Sequence, residues 1–227
     1  MTKIARWAAS QLDADRLHAL ANDLGVSIES LRSLGVGFAP ESNATTWPMR
    51  NAEQQVVGIR MRRWGGSQKW SIKESRSGWF LPSGRKRPTK SLVVCEGGSD
   101  TAAALSLGLT AVGRASCNAP VHDVDFLVRR HALADSVVRV LADHDDAGVR
   151  GAERFADAVA SHGFDAAVVI PPTRGWDFRD WVNAGARRED VLEANPVLTL
   201  SSRESPKQLT LSFGSATADQ SLSPFAP

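Results

Sequence analysis

The 227-residue sequence predicts an α/β protein, with a parallel sheet flanked by helices preceded by a small basic α+β module. Three observations predict it. From residue 91 onward, apolar runs of strand length alternate with helix-length stretches, the rhythm of a parallel sheet covered by helices. Between residues 44 and 81, shorter segments alternate apolar and polar residues around a glycine pair. Charge divides the same way, with 15 Lys+Arg against 7 Asp+Glu in residues 1–90 and 12 against 18 in residues 91–227.

The elements follow in order. Leu12, Leu17, Leu20 and Leu24 predict a helix over 10–24 that ends at Gly25, and Ser27 can cap a second short helix, IESLRSLG. The pair has the outline of a helix-turn-helix, although such pairs are more often simple packing units. VVGIRMR and KWSIK, separated by Gly65-Gly66, read as antiparallel strands of a hairpin. The basic PSGRKRPTK reads as a linker. Then come strand LVVC, helix SDTAAALSLG, strand LTAVG, strand VVRVLAD, helix GVRGAERFADAVASHG and strand DAAVVIPP. The expected organisation is a helical segment over 1–43, a basic subdomain over 44–85, an α/β domain over 91–195 and a flexible Ser-rich tail over 196–227.

Composition narrows the function. Hydrophobic residues at 42% and charged residues at 23% are those of a globular protein. No apolar run is long enough to span a bilayer and MTKIARWAAS is no secretory signal, so a cytoplasmic protein without membrane partners is expected. Cys95 and Cys117 are too few for a disulfide framework or a zinc ribbon and are expected to be buried free thiols. There is no tyrosine.

Acids cluster where predicted strands end: Glu96 and Asp100 in CEGGSD, Asp143-His144-Asp145-Asp146 after VVRVL, and Asp177 and Asp180 in GWDFRDW. Any one cluster alone reads more simply as a solvated helix cap. In an open parallel sheet, however, ligands bind beyond the carboxyl ends of the strands, so the three can meet there. Gathered carboxylates repel one another and call for a cation, and oxygen-only donors favour Mg²⁺ or Mn²⁺ over zinc. An EF-hand beginning at Asp143 fails, with Ala147 at its fifth position and Arg154 at its twelfth, and EGGSD opens neither a P-loop nor a dinucleotide fingerprint.

Strand–E-G-x-x-D, strand–D-x-D-x-A-G and G-x-D-x-x-D, in this order, resemble the TOPRIM family of primases, type IA and II topoisomerases and some nucleases. The resemblance covers roughly residues 91–183, and the stretch from Asp143 to Val182 is most similar to the primase branch. It implies a TOPRIM domain using Mg²⁺ or Mn²⁺. Glu96 would be metal ligand or general acid/base, Asp143 and Asp145 direct ligands, Asp177 and Asp180 outer or second-metal ligands, and Asp100 a supporting one. Residues 47–81 resemble the basic subdomain before TOPRIM in primase cores, which implies nucleic-acid contacts from Arg60, Arg62, Arg63, Lys69 and Lys73. Trp64 and Trp70 are candidate stacking platforms, with strand-face charges and core tryptophans as the alternative, and Arg85, Lys86 and Arg87 of the linker extend the basic set.

The expected function is a primase-like nucleotidyltransferase acting on single-stranded DNA and nucleotides, from a phage or mobile element. A Mg²⁺-dependent nuclease and a non-catalytic replication accessory are the alternatives. The zinc ribbon and helicase-binding domain that flank bacterial primase cores do not fit this sequence, so separate zinc-ribbon or helicase proteins are expected partners. A self-contained topoisomerase is excluded, for want of a tyrosine. In the tail, Gln208, Leu209, Leu211 and Phe213 of QLTLSF resemble the peptide with which many bacterial replication proteins engage the sliding clamp. A short strand, TLSF, that docks back on the protein or simply floats is the other reading.

Overall fold

A computed structural model describes residues 1–84, 88–117 and 123–201. Three helices open the chain: α1 (Thr2–Gln11), α2 (Ala14–Leu24) and α3 (Ile28–Leu34). The single helix expected over 10–24 is broken at Leu12, because the Asp13 side chain accepts from Arg16 N at 2.8 Å and starts α2 afresh. Ser27 caps α3 as its sequence suggests, accepting from Ser30 N. The α2–α3 pair is a packing unit. Leu24 and Leu31 are fully buried, and Ser27 N donates to Ser106 Oγ of α4 (Gly98–Ser106) at 2.8 Å.

The strands are β1 (Gly37–Ala39), β2 (Ala44–Arg50), β3 (Val56–Arg63), β4 (Lys69–Ser71), β5 (Trp79–Phe80), β6 (Thr89–Glu96), β7 (Thr110–Arg114), β8 (Ala132–Leu141), β9 (Asp165–Val169) and β10 (Leu198–Leu200). They form one ten-stranded sheet in the order β10-β9-β8-β6-β7-β5-β2-β3-β4, with β1 added on β2. The centre, β9-β8-β6-β7, is parallel. The basic part, β2-β3-β4, is antiparallel, with the turn at Gly65-Gly66 where the sequence places it. Two-residue β5 joins the halves, since Trp79 pairs with Arg50 on one side and Arg114 on the other.

Helices cover both faces of the parallel strands: α5 (Val124–His131) and α6 (Asp146–Ser161) one face, α2, α3, α4, α7 (Phe178–Asn183) and α8 (Arg188–Glu193) the other. Side chains alternate accordingly, Leu92 and Val94 packing beside Phe155 and Val159, Val93 and Cys95 beside α4. Burial on both faces is why LVVC reads as an unbroken apolar run. Each of Leu92, Val93 and Val94 is fully buried, worth roughly 1.5–3 kcal/mol apiece. On the basic half, α1 lays Ala5 against Ile59 and Met61 of β3.

Two expectations are corrected here. The stretch 198–200, read as the start of a flexible tail, is strand β10, held antiparallel on β9 through Leu198↔Val168 and Leu200↔Ala166. Cys95 is a buried free thiol, but Cys117 is only partly buried, in the loop after β7. Among the described residues, no helix is long and apolar enough to cross a membrane.

Candidate active site

Parallel strands deliver their carboxyl ends to one edge, and the acids stand there. Glu96 ends β6. The chain then turns through Gly97 at φ 91°, a conformation that favours glycine, and Gly98 lies so close to the Trp47 indole that a Cβ would meet ring atom Cε3 at 2.6 Å. Thr101 Oγ1 donates to Gly97 O at 2.6 Å and Gly97 N to Arg114 O at 2.9 Å, which fixes the turn.

Asp100, in the first turn of α4, is buried, and its Oδ1 accepts from Arg179 N at 3.3 Å. Burial, then the carboxylates of Asp177 and Asp143, hold its pKa well above the usual carboxylate range, against the pull of Arg179 and Lys69. Asp143 follows β8. Burial pushes its carboxyl up to about 7, with help from Glu96, Asp177 and Asp145 and opposition from Lys69. Asp145 caps α6, its Oδ1 accepting from Gly148 N at 2.7 Å. Asp177 and Asp180 form a reciprocal cap on α7, through Asp180 N to Asp177 Oδ1 at 2.7 Å and Asp177 N to Asp180 Oδ2 at 3.1 Å. His144 N donates to Trp176 O and Gly175 N to His144 O, both at 2.9 Å, so the second and third acidic loops are tied together.

The opposite wall comes from the basic strands. Side chains two apart on a strand share a face, as do residues directly opposite on a neighbouring strand. Arg60 and Arg62 of β3, with Lys69 opposite Arg62 on β4, therefore face the same way, and all three line a cleft of about 160 Å³ with Glu96, Asp100, Asp143 and Asp177. The out-of-phase Arg63 does not line this cleft. It donates to Ser42 O at 2.7 Å and lies over the Trp70 ring, 5.3 Å from its centroid. Lys73 is exposed beyond β4 and is not in the lining either. Trp64 packs edge-on to Phe38, and Trp70 packs beside the α1 cluster. Arg85, Lys86, Arg87, Gln208, Leu209, Leu211 and Phe213 lie outside the described residues.

Among the described residues, no three His, Cys, Asp or Glu side chains stand close enough together to hold one ion. The donor chemistry nonetheless fits a hard divalent cation. Every donor is a carboxylate, Glu96 Oε2 is buried without a hydrogen bond, and Asp143 is disfavoured as an anion by burial and then by three carboxylate neighbours.

Sequence reasoning missed three residues at this site. Trp47 of β2 lines the cleft and touches the glycine turn. Arg179 backs Asp100, and its Nη2 lies 3.6 Å from Asp177 Oδ2. Arg114, at the end of β7, lies in register with Glu96, its Nη2 3.8 Å from Glu96 Oε2. A charged residue closing the apolar run LTAVG was a visible signal for Arg114, but its partner depended on a register that the sequence does not show.

No family model and no curated protein sequence matches the chain. Solved structures do. The chain superposes on a DnaG catalytic core with a TM-score of 0.65 at 17% identity, covering 85% of this chain and 77% of that one. It superposes on the E. coli primase catalytic core with 0.64 at 17% identity, covering 88% and 79%. For a DnaG primase catalytic domain bound to ssDNA the values are 0.65, 16%, 86% and 80%. The chain has the fold of a TOPRIM-containing primase catalytic core.

Proposed function

We propose that the protein is a primase-like nucleotidyltransferase that builds short oligomers on single-stranded DNA with Mg²⁺ or Mn²⁺. The observation that carries this reading is the pairing of walls across one cleft, Arg60, Arg62 and Lys69 facing Glu96, Asp100, Asp143 and Asp177. A nucleotide presents phosphates that suit the first wall and, through a divalent ion, the second. The structural neighbour solved with ssDNA supports the same ligand here.

Glu96 and Asp143 line the cleft, and Asp145 would have to draw in beside them for the three to hold one cation, with Asp177 and Asp180 as outer or second-metal ligands and Asp100 supporting. Such ions supply charge neutralisation on the phosphoryl oxygens and align the attacking and leaving oxygens. The chain's own residues do the rest. Arg60, Arg62 and Lys69 bind phosphates and keep the strand over the acids. If Glu96 is not a metal ligand, it would instead take the proton of an attacking hydroxyl. The caps on α6 and α7 engage one oxygen each of Asp145 and Asp177 and so limit how these side chains turn.

The reading places the protein in the cytoplasm of a phage- or mobile-element-bearing host, with helicase and zinc-ribbon proteins as partners. It also assigns Gln208, Leu209, Leu211 and Phe213 to a sliding clamp. Titrating a peptide spanning 204–216 against the clamp tests that part, and binding lost on Leu211→Ala and Phe213→Ala is expected. The central test incubates the protein with single-stranded DNA, labelled ribonucleotides and Mg²⁺ or Mn²⁺. New template-dependent oligomers are expected. A shortened template would make it a nuclease, and a mobility shift alone a binding protein.

A further inference from the structure

Arg114 is only 1% exposed, a costly place for a guanidinium unless it is paired. Nη1 donates to Gly151 O of α6 at 3.0 Å, and the group lies 5.2 Å from the Phe155 ring centroid. Nε and Nη2 have no hydrogen-bond acceptor. Among the described residues its ion pair is with Glu96, through Oε2 at 3.8 Å, and that oxygen is itself buried and without a hydrogen bond, while the Cys117 side chain also hydrogen-bonds the Glu96 carboxyl group. Parallel strand register sets the two side by side, Glu96 ending β6 and Arg114 ending β7. Nothing in the packing of an otherwise apolar face requires a cation at this point, since Phe155, Val112 and Val94 close it around aliphatic and aromatic carbon. A carboxylate at the rim of the cleft does.

We infer that Arg114 is a positioning residue for Glu96, holding Oε2 inside the protein and so fixing how the carboxylate stands at the rim of the cleft. Glu96 would then meet a cation in a restricted orientation. Without the guanidinium, Oε2 keeps no cationic partner in its buried position, and the carboxylate turns away from the place where it is needed. The anchor on Gly151 makes this directional, because one arm of the fork is held by α6 while the other faces Glu96. Lysine reproduces the charge but not the fork.

This inference rests on the proposed metal site, and its test reads the metal without reading catalysis. Mn²⁺ binding to the intact chain is measured by electron paramagnetic resonance for the wild type, Arg114→Met, Arg114→Lys, Glu96→Gln and the Glu96→Gln/Arg114→Met double variant. Arg114→Met is expected to weaken Mn²⁺ binding by about tenfold or more, the usual effect of removing a partner that orients a ligand. Arg114→Lys should recover part of that loss, and in the Glu96→Gln background Arg114→Met should change the affinity by less than about twofold. If Arg114→Met does not fold, Arg114→Gln, which keeps a polar side chain without the charge, reads the same quantity. Unchanged affinity in the Met or Gln variant, or an equal change in both Glu96 backgrounds, would overturn the positioning role. A wild-type chain that binds no Mn²⁺ would overturn the proposed function and this inference with it.

Discussion

Across the cleft, Lys69 and Arg62 stand opposite one another on antiparallel strands, with Lys69 free to reach solvent. Asp100 and Asp143 stand just past the ends of parallel strands, where burial and one another's charge oppose ionisation. On the basic wall Lys69 is exposed, whereas Arg62 is half-buried, and burial, then the charge of Arg179, lowers its pKa against the pull of Asp23, Asp177 and Asp100. The acidic wall is a standing electrostatic cost, partly offset by helix caps that use one oxygen each of Asp145, Asp177 and Asp180. A fold does not gather acids in this way for stability. Substitutions on the two walls should therefore differ in kind, with acidic ones removing chemistry and sometimes adding stability, and basic ones removing affinity alone.

The largest difference is expected at Asp145. Asp145→Asn keeps an oxygen to accept from Gly148 N and so keeps the α6 cap, but it should lower metal-dependent activity by at least about a hundredfold. Full Mg²⁺-dependent turnover by this variant would remove Asp145 from the site. On the basic wall, replacing Arg60, Arg62 and Lys69 together by Ala should reduce the slope of log affinity for single-stranded DNA against log salt by about 2. Arg63→Ala, on the other face of β3, should leave the slope almost unchanged, and equal slopes for both variants would sink the two-faced reading of the strand.

Where the walls touch, Gly98→Ala would press a methyl group into Trp47 and is expected to cost about 1–3 kcal/mol, measurable by urea denaturation. A neutral effect would mean that the turn and β2 are not in firm contact. The smallest expected effect is the pH dependence of the metal-free protein. A carboxyl raised to about 7 in the fold binds its proton more tightly than in the unfolded chain. Its contribution is complete below the ordinary carboxylate pKa and is lost as pH rises through about 7. The melting temperature of the metal-free wild type should thus fall as pH rises from about 5 to 8. Asp143→Asn should flatten that fall and melt higher at the alkaline end, and parallel curves would contradict the assignment.

The parallel centre and the acidic loops were legible because both rest on local pattern. LVVC and VVRVL are apolar runs of strand length, and each is followed by acids at the place where such strands open onto a ligand. The Gly65-Gly66 hairpin was legible for the same reason. Strand β5, only Trp79-Phe80, is too short to leave a periodic signal, and it becomes a strand by pairing on both sides at once. Strand β10 likewise exists through β9 rather than through its own LTL. Helix α5 was overlooked between two louder segments, although Val124, Leu127, Val128 and His131 lie on one helical face. Arg63 is a different case. The alternation that put Ile59 and Met61 in the core already separated it from Arg60 and Arg62, and grouping the three by charge concealed that. Arg114 and Trp47 needed strand neighbours that only the fold supplies.

The central claim is that the two walls act on one nucleotide, and calorimetric titration of a nucleoside triphosphate into the intact protein tests it most directly. Wild type, Arg62→Ala, Asp143→Asn and the double variant would each be measured with and without Mn²⁺. The account predicts Mn²⁺-dependent binding in the wild type, weakening in each single variant, and a loss in the double variant clearly smaller than the two single losses combined, as expected of residues that hold one ligand together. Binding that ignores Mn²⁺, or losses that simply add, would mean that the basic strands and the acidic loops serve different ligands.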